Sequence, residues 1–339
     1  MASEVVKIEQ MRRSVSLACP FYNEGGSVQL FFARVVPVLE SLGLPFEIVC
    51  VNDGSRDTTL EELIRSQAAD SRIVVVDLSR NFGKEAALTA AIDYAQGDAV
   101  IPIDADLQDP PELIPELVSK WQEGYDVVAA RRVNRDSDGL FKRVTAGWFY
   151  RVHNSISEID VPANIGDFRL MDRRVVESLK SLPERRRYMK GLFAWVGFRT
   201  AVVDYVRETR AAGTTKFSGW RLWNLALEGI TSFSTVPLRL WTYIGTAVAL
   251  LSFLYGSVIV LRTLILGIDV PGYASLLSVM LFLGGVQLIG IGVLGEYIGR
   301  IYSETKQRPV YVVREALGHS HGSRPISADG ADPKRVLSA

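Results

Sequence analysis

Apolar, β-branched runs recur along the N-terminal part of the chain, separated by polar-punctuated stretches with helical spacing. The runs at 15–19, 46–51, 73–78, 100–103 and 126–130 predict strands, and 28–42, 60–69, 85–95 and 113–123 predict helices. Strands that are apolar almost throughout, each followed by a helix, predict a parallel sheet covered on both faces: an α/β domain. Such sheets bind ligands at the carboxyl ends of their strands, so the segments after each strand are where chemistry is expected. The pattern changes near the C-terminus. From Trp241 to Leu261, and again from Val270 to Gly295, no residue is charged. At about 1.5 Å per residue each run can cross a hydrocarbon core of ~30 Å. Two such runs back to back predict a membrane hairpin, because as buried core helices they would need a larger surrounding core than the rest of the chain supplies. Arg239 precedes the pair, Arg300, Lys306 and Arg308 follow it, and Asp269 is the only charge in the short connection from Gly267 to Gly272. The positive-inside rule therefore puts both ends in the cytoplasm. Trp241, Tyr243 and Tyr297 read as interfacial anchors, and Arg262 as a snorkelling cation at the end of the first span.

The polar stretch 1–14 lacks the apolar core of a secretory signal, so the portion before the hairpin is expected in the cytoplasm, with Cys19 and Cys50 reduced core residues. The expected layout is an extension over 1–14, a catalytic domain over 15–217 and an interfacial amphipathic helix over 218–240. A transmembrane hairpin follows over 241–299, with spans at about 241–266 and 271–296. A cytoplasmic return covers 300–317, within which 308–314 can add a short strand, and a tail of disordered composition covers 318–339. The interfacial helix rests on Trp220, Trp223, Leu227 and Ile230 at helical spacing. Tyr188, Phe193, Trp195 and Phe198 offer either a second such surface or core packing. The 38 basic and 38 acidic side chains give a formal net charge of zero, which removes any sequence-wide electrostatic case for nucleic acid.

After the first strand stand Pro20, Phe21, Tyr22, Asn23, Glu24, Gly25 and Gly26, not the G-x-G-x-x-G of a dinucleotide fold. The one literal match, Gly290, Gly292 and Gly295, lies in the second apolar run and reads as helix packing, so hydride transfer is disfavoured. After the second strand comes a polar turn from Asn52 to Asp57, with Asp57 placed to cap the next helix. After the third, Arg80 and Lys84 put two cations at a helix start, a place suited to a diphosphate. After the fourth, Asp104, Asp106 and Asp109 concentrate three carboxylates that repel one another without a counter-charge. With Gln108 they form an oxygen-only donor set, which selects Mg2+ or Mn2+ over zinc. The alternative is a set of capping carboxylates before a helix with Pro110 and Pro111 at its start. After the fifth, Arg131, Arg132, Lys142 and Arg143 form either a solvated basic face or a seat for an anionic group.

These residues resemble the inverting, GT-A-fold family 2 glycosyltransferases, and within them the polyprenyl-phosphate enzymes related to dolichol-phosphate mannose synthase and bacterial bactoprenol glucosyltransferases. The resemblance spans roughly Val15 to Arg308 and rests on the blocks 20–24, 52–55, 81–85, 104–112, 166–170 and 210–218, followed by the hairpin. It implies a GT-A catalytic domain in which Pro20, Tyr22, Glu24 and Asp53 cradle the nucleoside. Lys84 would lie near the nucleoside or its phosphates, with Asp104, Asp106 and Gln108 holding the metal on the diphosphate. Position 52, acidic in the family's frequent Asp-Asp-Gly-Ser block, is Asn here. Arg131 and Arg143 are implied for the acceptor phosphate, Arg210 and Lys216 for a lid over 210–218, and Asp167 for a general base. A phosphate monoester already lacks most of its second proton at neutral pH, so Asp167 can instead orient the sugar or the attacking oxygen.

The resemblance implies transfer of a hexose, glucose by the nearest subgroup, from a UDP-sugar to polyprenyl (undecaprenyl) phosphate. It further implies an integral protein of the inner membrane and assembly into a homo-oligomer. Two other readings are a processive polysaccharide synthase, which would typically show a Gln-x-x-Arg-Trp block and more spans, and a non-catalytic membrane-tethered nucleotide-sugar binder.

Overall fold

The computed structural model describes residues 13–133, 165–185, 187–206, 236–266 and 272–318. The chain forms two compact units, one of residues 1–150, 159–218 and 308–339, the other of 151–158 and 219–307.

In the first unit the elements follow the order β1 (Val15–Phe21), α1 (Val28–Ser41), β2 (Phe46–Asn52), α2 (Thr59–Ala69), β3 (Ile73–Leu78), α3 (Lys84–Tyr94), β4 (Ala99–Pro102), a 3₁₀ turn (Pro111–Leu113) and α4 (Ile114–Gln122). There follow β5 (Val127–Arg132), β6 (Ile165–Asp172), α5 (Arg173–Ser181), α6 (Met189–Trp195), β7 (Thr200–Tyr205) and, after the second unit, β8 (Val313–Leu317). The eight strands make one sheet in the order β7-β5-β6-β4-β1-β2-β3-β8. Strands β1 to β4 pair in parallel, as do β5 and β7, while β6 runs antiparallel to both β4 and β5, and β8 antiparallel to β3. The sheet is thus mostly parallel, with β6 and β8 as its reversed members.

Strand β3 is buried at every position, as a strand covered on both faces must be. Helix α1 buries Val28, Phe31, Phe32, Val35 and Leu39, the stripe that 3.6-residue periodicity dictates. Its Phe31 meets Phe21 of β1 edge-on at 5.3 Å, and a fully buried ring of this kind contributes about 1.5–3 kcal/mol. The aromatic group expected at a second interface splits: Tyr188 and Phe193 are buried in the core, whereas Trp195 at the end of α6 is 57% exposed. The return strand is β8, which begins five residues after the start of the 308–314 run expected to form it, and it caps the edge of β3.

The second unit contains α7 (Val236–Leu266) and α8 (Tyr273–Thr305), of 31 and 33 residues. Among the described residues, Phe282–Thr305 is the helix long and apolar enough to cross a membrane, and Tyr243–Val258 is a shorter apolar stretch. Phe253 and Leu264 are 77% and 78% exposed, the arrangement of side chains whose solvent is lipid. A Cβ at Gly290 would meet the Trp241 indole Nε1 at 2.5 Å, so glycine at 290 makes room for that ring.

Candidate active site

The carboxyl ends of β1 to β4 bring the first four post-strand segments to one edge. Asp53 is 2% exposed. Its Oδ1 accepts the Phe82 N–H at 2.7 Å, and its Oδ2 accepts the Gly83 N–H and the Asn81 amide, each at 3.0 Å. Burial pushes the Asp53 carboxyl up, and those two backbone donors with Arg80 hold it back. Asp53 thus staples the 80–83 loop and fixes the start of α3. The loop lies so close that a Cβ at Gly54, where φ is +61°, would meet the Arg80 carbonyl carbon and the Asn81 nitrogen at 2.5 Å, so only glycine fits. Tyr22 is 44% exposed beside this loop's edge of the sheet, Pro20 is the penultimate residue of β1, and Glu24 accepts the Ser27 hydroxyl at 2.9 Å.

Lys84, the first residue of α3, lies 2.8 Å from Asp104 and 2.9 Å from Asp167, so it gathers the segments after β3 and β4 and strand β6 into one cluster. The counter-charge expected from a metal alone is supplied in part by this ammonium. Burial works against the Lys84 charge, but Asp167 and Asp104 overcome it and hold the lysine above its ordinary range. Burial likewise works against ionised Asp167, yet Lys84, Lys190 and Arg169 bring its carboxyl below the usual range. Among the described residues its Oδ1 is buried without a hydrogen-bond partner.

The segment after β4 alternates. Asp104, Asp106 and Gln108 are partly exposed, while Ala105, Leu107 and Asp109 are buried. Leu107 adopts φ +55°, costly for a branched side chain and sustained by its burial in the core. Asp106 Oδ1 accepts the Gln108 N–H at 3.2 Å. The expected set of three carboxylates is corrected to two: Asp109 turns inward and accepts the Tyr205 hydroxyl at 2.5 Å, anchoring the segment to β7. Among the described residues no three His, Cys, Asp or Glu side chains gather as a metal cage. Asp104, Asp106 and Gln108 nonetheless fit Mg2+ or Mn2+, which typically take one or two carboxylates and complete their shell with substrate phosphate and water. The orphaned Asp167 oxygen adds an unmet acceptor to the same cluster.

Sequence reasoning missed three features. Glu85 accepts the Met189 N–H at 3.2 Å, and burial, reinforced by Asp167, pushes its carboxyl up to about 7. Arg169 is 7% exposed, donates to the Gly166 carbonyl at 2.7 Å and stacks over Phe193 at 4.1 Å. Burial pulls this guanidinium down to about 10, with Asp167 opposing. The third is the Asp109–Tyr205 link. The signal for it lay in parity, since 109 is odd where 104, 106 and 108 are even. Arg131, expected at the acceptor phosphate, lies at the end of β5 and is held by Asp204 through two contacts of 2.7 and 2.9 Å. Asp57 bonds the first N–H of α2, at Thr59, as a cap does. Arg143, Arg210, Lys216 and residues 218–235 of the interfacial helix expected over 218–240 lie outside the described residues, and its last five residues, 236–240, begin α7.

Comparison with known proteins agrees with this geometry. The family model for glycosyl transferase family 2 matches residues 16–180, and that for the GtrB C-terminal hairpin matches 236–301, which marks the chain as membrane-associated. The SfII prophage-derived bactoprenol glucosyl transferase of Shigella flexneri is 56% identical over 312 residues, 92% of this chain and 99% of that protein. An uncharacterized glycosyltransferase of Synechocystis is 56% identical over 308 residues, 91% of this chain and 97% of that one. Glucosyl-3-phosphoglycerate synthase from Mycobacterium tuberculosis, solved with Mn2+, UDP-glucose and phosphoglyceric acid, superposes with a TM-score of 0.47 at 21% identity over 65% of this chain and 78% of that one. Near-complete coverage by relatives at more than half identity, with the GT-A sheet edge and the two long C-terminal helices, leaves one assignment: the chain belongs to the family 2 glycosyltransferases, in the group that ends in a GtrB C-terminal hairpin.

Proposed function

We propose that this glycosyltransferase moves glucose from UDP-glucose to polyprenyl phosphate at the cytoplasmic face of the cell membrane, with inversion at the anomeric carbon. The observation that carries the reading is the cluster of Lys84, Asp104 and Asp167 at the sheet's ligand edge, in a chain that is 56% identical to bactoprenol glucosyl transferases over most of its length. Asp104, Asp106 and Gln108 would hold Mg2+ or Mn2+. When bound, the cation supplies Lewis-acid neutralisation of the charge that develops on the departing diphosphate.

The chain's own groups do the rest. Pro20, Tyr22 and Glu24 line the nucleoside end, and Asp53 acts through the loop it staples, presenting Lys84 toward the phosphates. The acceptor's phosphate oxygen forms the bond to the anomeric carbon as the bond to UDP breaks, and the electron pair of that bond leaves with UDP. At neutral pH the acceptor monoester is mostly dianionic, its second pKa being near 6. A carboxylate held below the usual range by Lys84 is a weak base, so Asp167 acts by orienting the sugar or the attacking oxygen rather than by taking a proton. Arg131 and Arg143 would receive the acceptor phosphate, Arg131 by exchanging Asp204 for it, and Arg210 and Lys216 would close over the diphosphate and keep water from the donor. The hairpin over 241–299, with both termini cytoplasmic, and an interfacial helix over 218–240 would bring the catalytic domain to the lipid headgroups. A homo-oligomer is part of the proposal.

The test is incubation of membranes holding the protein with labelled UDP-glucose and undecaprenyl phosphate. Organic-extractable label that disappears on chelation is expected. Label carried only from another nucleotide sugar overturns the glucose assignment, and undiminished transfer after exhaustive chelation overturns the metal. Asp106→Asn should weaken Mn2+-dependent UDP binding, whereas Asp167→Asn should lower turnover by about 10²-fold or more with UDP affinity nearly intact.

A further inference from the structure

We propose that Arg314, on the strand that follows the hairpin in the chain, positions the donor-nucleoside loops through a hydrogen-bond relay whose centre, Asn52 and Asp77, is buried. The C-terminal return would then be part of the donor site's support. The inference rests on the donor reading above.

Strand β8 pairs with β3 in a register that slips: Asp77 lies opposite Glu315 and Leu78 opposite Val313, which leaves Arg314 as the extra residue. A bulge of this kind re-aims a side chain, and here the guanidinium donates to Asp77 Oδ2 at 3.0 Å and to the Ser79 carbonyl at 2.9 Å. Asp77 is 5% exposed, and its Oδ1 accepts the Asn52 amide at 2.7 Å. Asn52 is 1% exposed, and its own oxygen accepts the Ser55 N–H at 3.2 Å. The Ser55 hydroxyl oxygen accepts the Asn23 N–H at 3.0 Å, and Asn23 Oδ1 accepts the Arg56 N–H at 2.9 Å. Asn23 stands between Tyr22 and Glu24 at φ +54°, a conformation that costs free energy unless its surroundings hold it. The relay therefore ends on the segment that lines the nucleoside.

Its polarity is fixed at each side-chain link. Arginine only donates and an ionised aspartate only accepts, so Asn52 must turn its NH2 to Asp77 and its oxygen to Ser55. This accounts for an amide at position 52 where the resembling block carries an acid. A carboxylate there would face Asp77 at hydrogen-bond distance, with Arg314 serving only the far oxygen. The return segment is fastened at three further points. Ser79 donates its N–H to the Val312 carbonyl at 2.9 Å, Tyr311 its hydroxyl to Asp93 at 2.8 Å, and Arg185 to the Arg308 carbonyl at 2.8 Å. Losing Arg314 should accordingly loosen the relay without detaching the strand.

The experiment uses full-length protein in nanodiscs with UDP-glucose and undecaprenyl phosphate, measuring kcat, both KM values and UDP affinity by calorimetry. Arg314→Gln should raise donor KM and the UDP Kd by about five- to tenfold, a fraction of one charge-assisted hydrogen bond, with kcat and acceptor KM nearly unchanged. Arg314→Lys should recover most of the loss. Asn52→Asp should be worse than Arg314→Gln, and adding Asp77→Asn should restore donor binding, because the amide then sits on the other side of the same bond. A donor KM for Arg314→Gln equal to wild type overturns the relay, as does an equal rise in acceptor KM or failure of the lysine to recover. If Arg314→Gln does not fold, the exchanged pair decides: restoration supports the relay and continued loss overturns it. A wild-type protein that neither binds UDP nor transfers from UDP-glucose is instead a failure of the donor reading, visible before any variant is made.

Discussion

Replacing Lys84 by Met removes the ammonium between Asp104 and Asp167 while keeping much of the side chain's length and apolar stem. Two contacts are lost, at 2.8 and 2.9 Å. A hydrogen bond to a charged group contributes about 1.5–3 kcal/mol. Lys84 is 49% exposed, so solvent already screens part of this, and about 2 kcal/mol for the two together is the reasonable expectation. At roughly 2–4 °C per kcal/mol for a domain of this size, the catalytic unit should melt about 4–8 °C lower. The sign with pH follows from the shifts. Lys84 is raised, so its contribution is full below the ordinary lysine pKa and is lost as pH climbs through the folded value. Asp167 is depressed, so its contribution is present above the ordinary carboxylate pKa and is lost as pH falls through the folded value. A measurement at pH 8 lies where both charges persist. Mn2+ distinguishes this account from simple loss of packing. In the wild type the cation meets carboxylates that a lysine already neutralises, whereas in Lys84→Met it meets them uncompensated. Manganese affinity without donor, read by electron paramagnetic resonance, should therefore tighten by about tenfold in the variant, a change of about 1.4 kcal/mol. Equal Mn2+ affinity in the two proteins, or an unchanged melting temperature, would refute the reasoning.

Glu85, raised to about 7, favours its protonated form in the fold, so its stability contribution is present below the ordinary glutamate pKa and is lost as pH rises through 7. Glu85→Gln should thus stabilise by about 1–3 kcal/mol at pH 8 and change little at pH 5; a variant that gains more at pH 5 contradicts the assignment. Tyr205→Phe takes away the donor 2.5 Å from buried Asp109, and should cost about 1–3 kcal/mol in chemical denaturation. Adding Asp109→Asn should return part of it, and a double variant no better than the single one would argue that the pair does not anchor the carboxylate segment.

What the sequence made legible follows from burial. Strands β1 to β5 and helices α1 to α4 announce themselves because a strand covered on both faces is apolar without interruption, and α1 repeats Val28, Phe31, Val35 and Leu39 on one face. Strands β6 and β7 do not. Strand β6 interleaves Asp167 and Arg169 with Phe168 and Leu170 because it is core and site at once, and β7 alternates exposed and buried positions as an edge strand does. The post-strand segments could be named from topology, since a parallel sheet sends all of them to one edge. Their pairings could not. Whether Asp53 faces a ligand or a loop, whether Arg131 is open or held by Asp204, and why position 52 must donate rather than accept all depend on which residue of a distant strand lies alongside.

Register is the deciding quantity, and it is not local. Asn52 lies beside Asp77 in the β2–β3 ladder, and Asp77 lies beside the Arg314 bulge in the β3–β8 ladder. The chemistry of one turn is therefore set by a residue more than two hundred positions later in the chain. A carboxylate motif read along the chain gives the inventory of charges at the site. The ladder determines which of those charges are already spoken for by Lys84, Arg314 or Tyr205, and which atoms, like Oδ1 of Asp167, have no hydrogen-bond partner among the described residues.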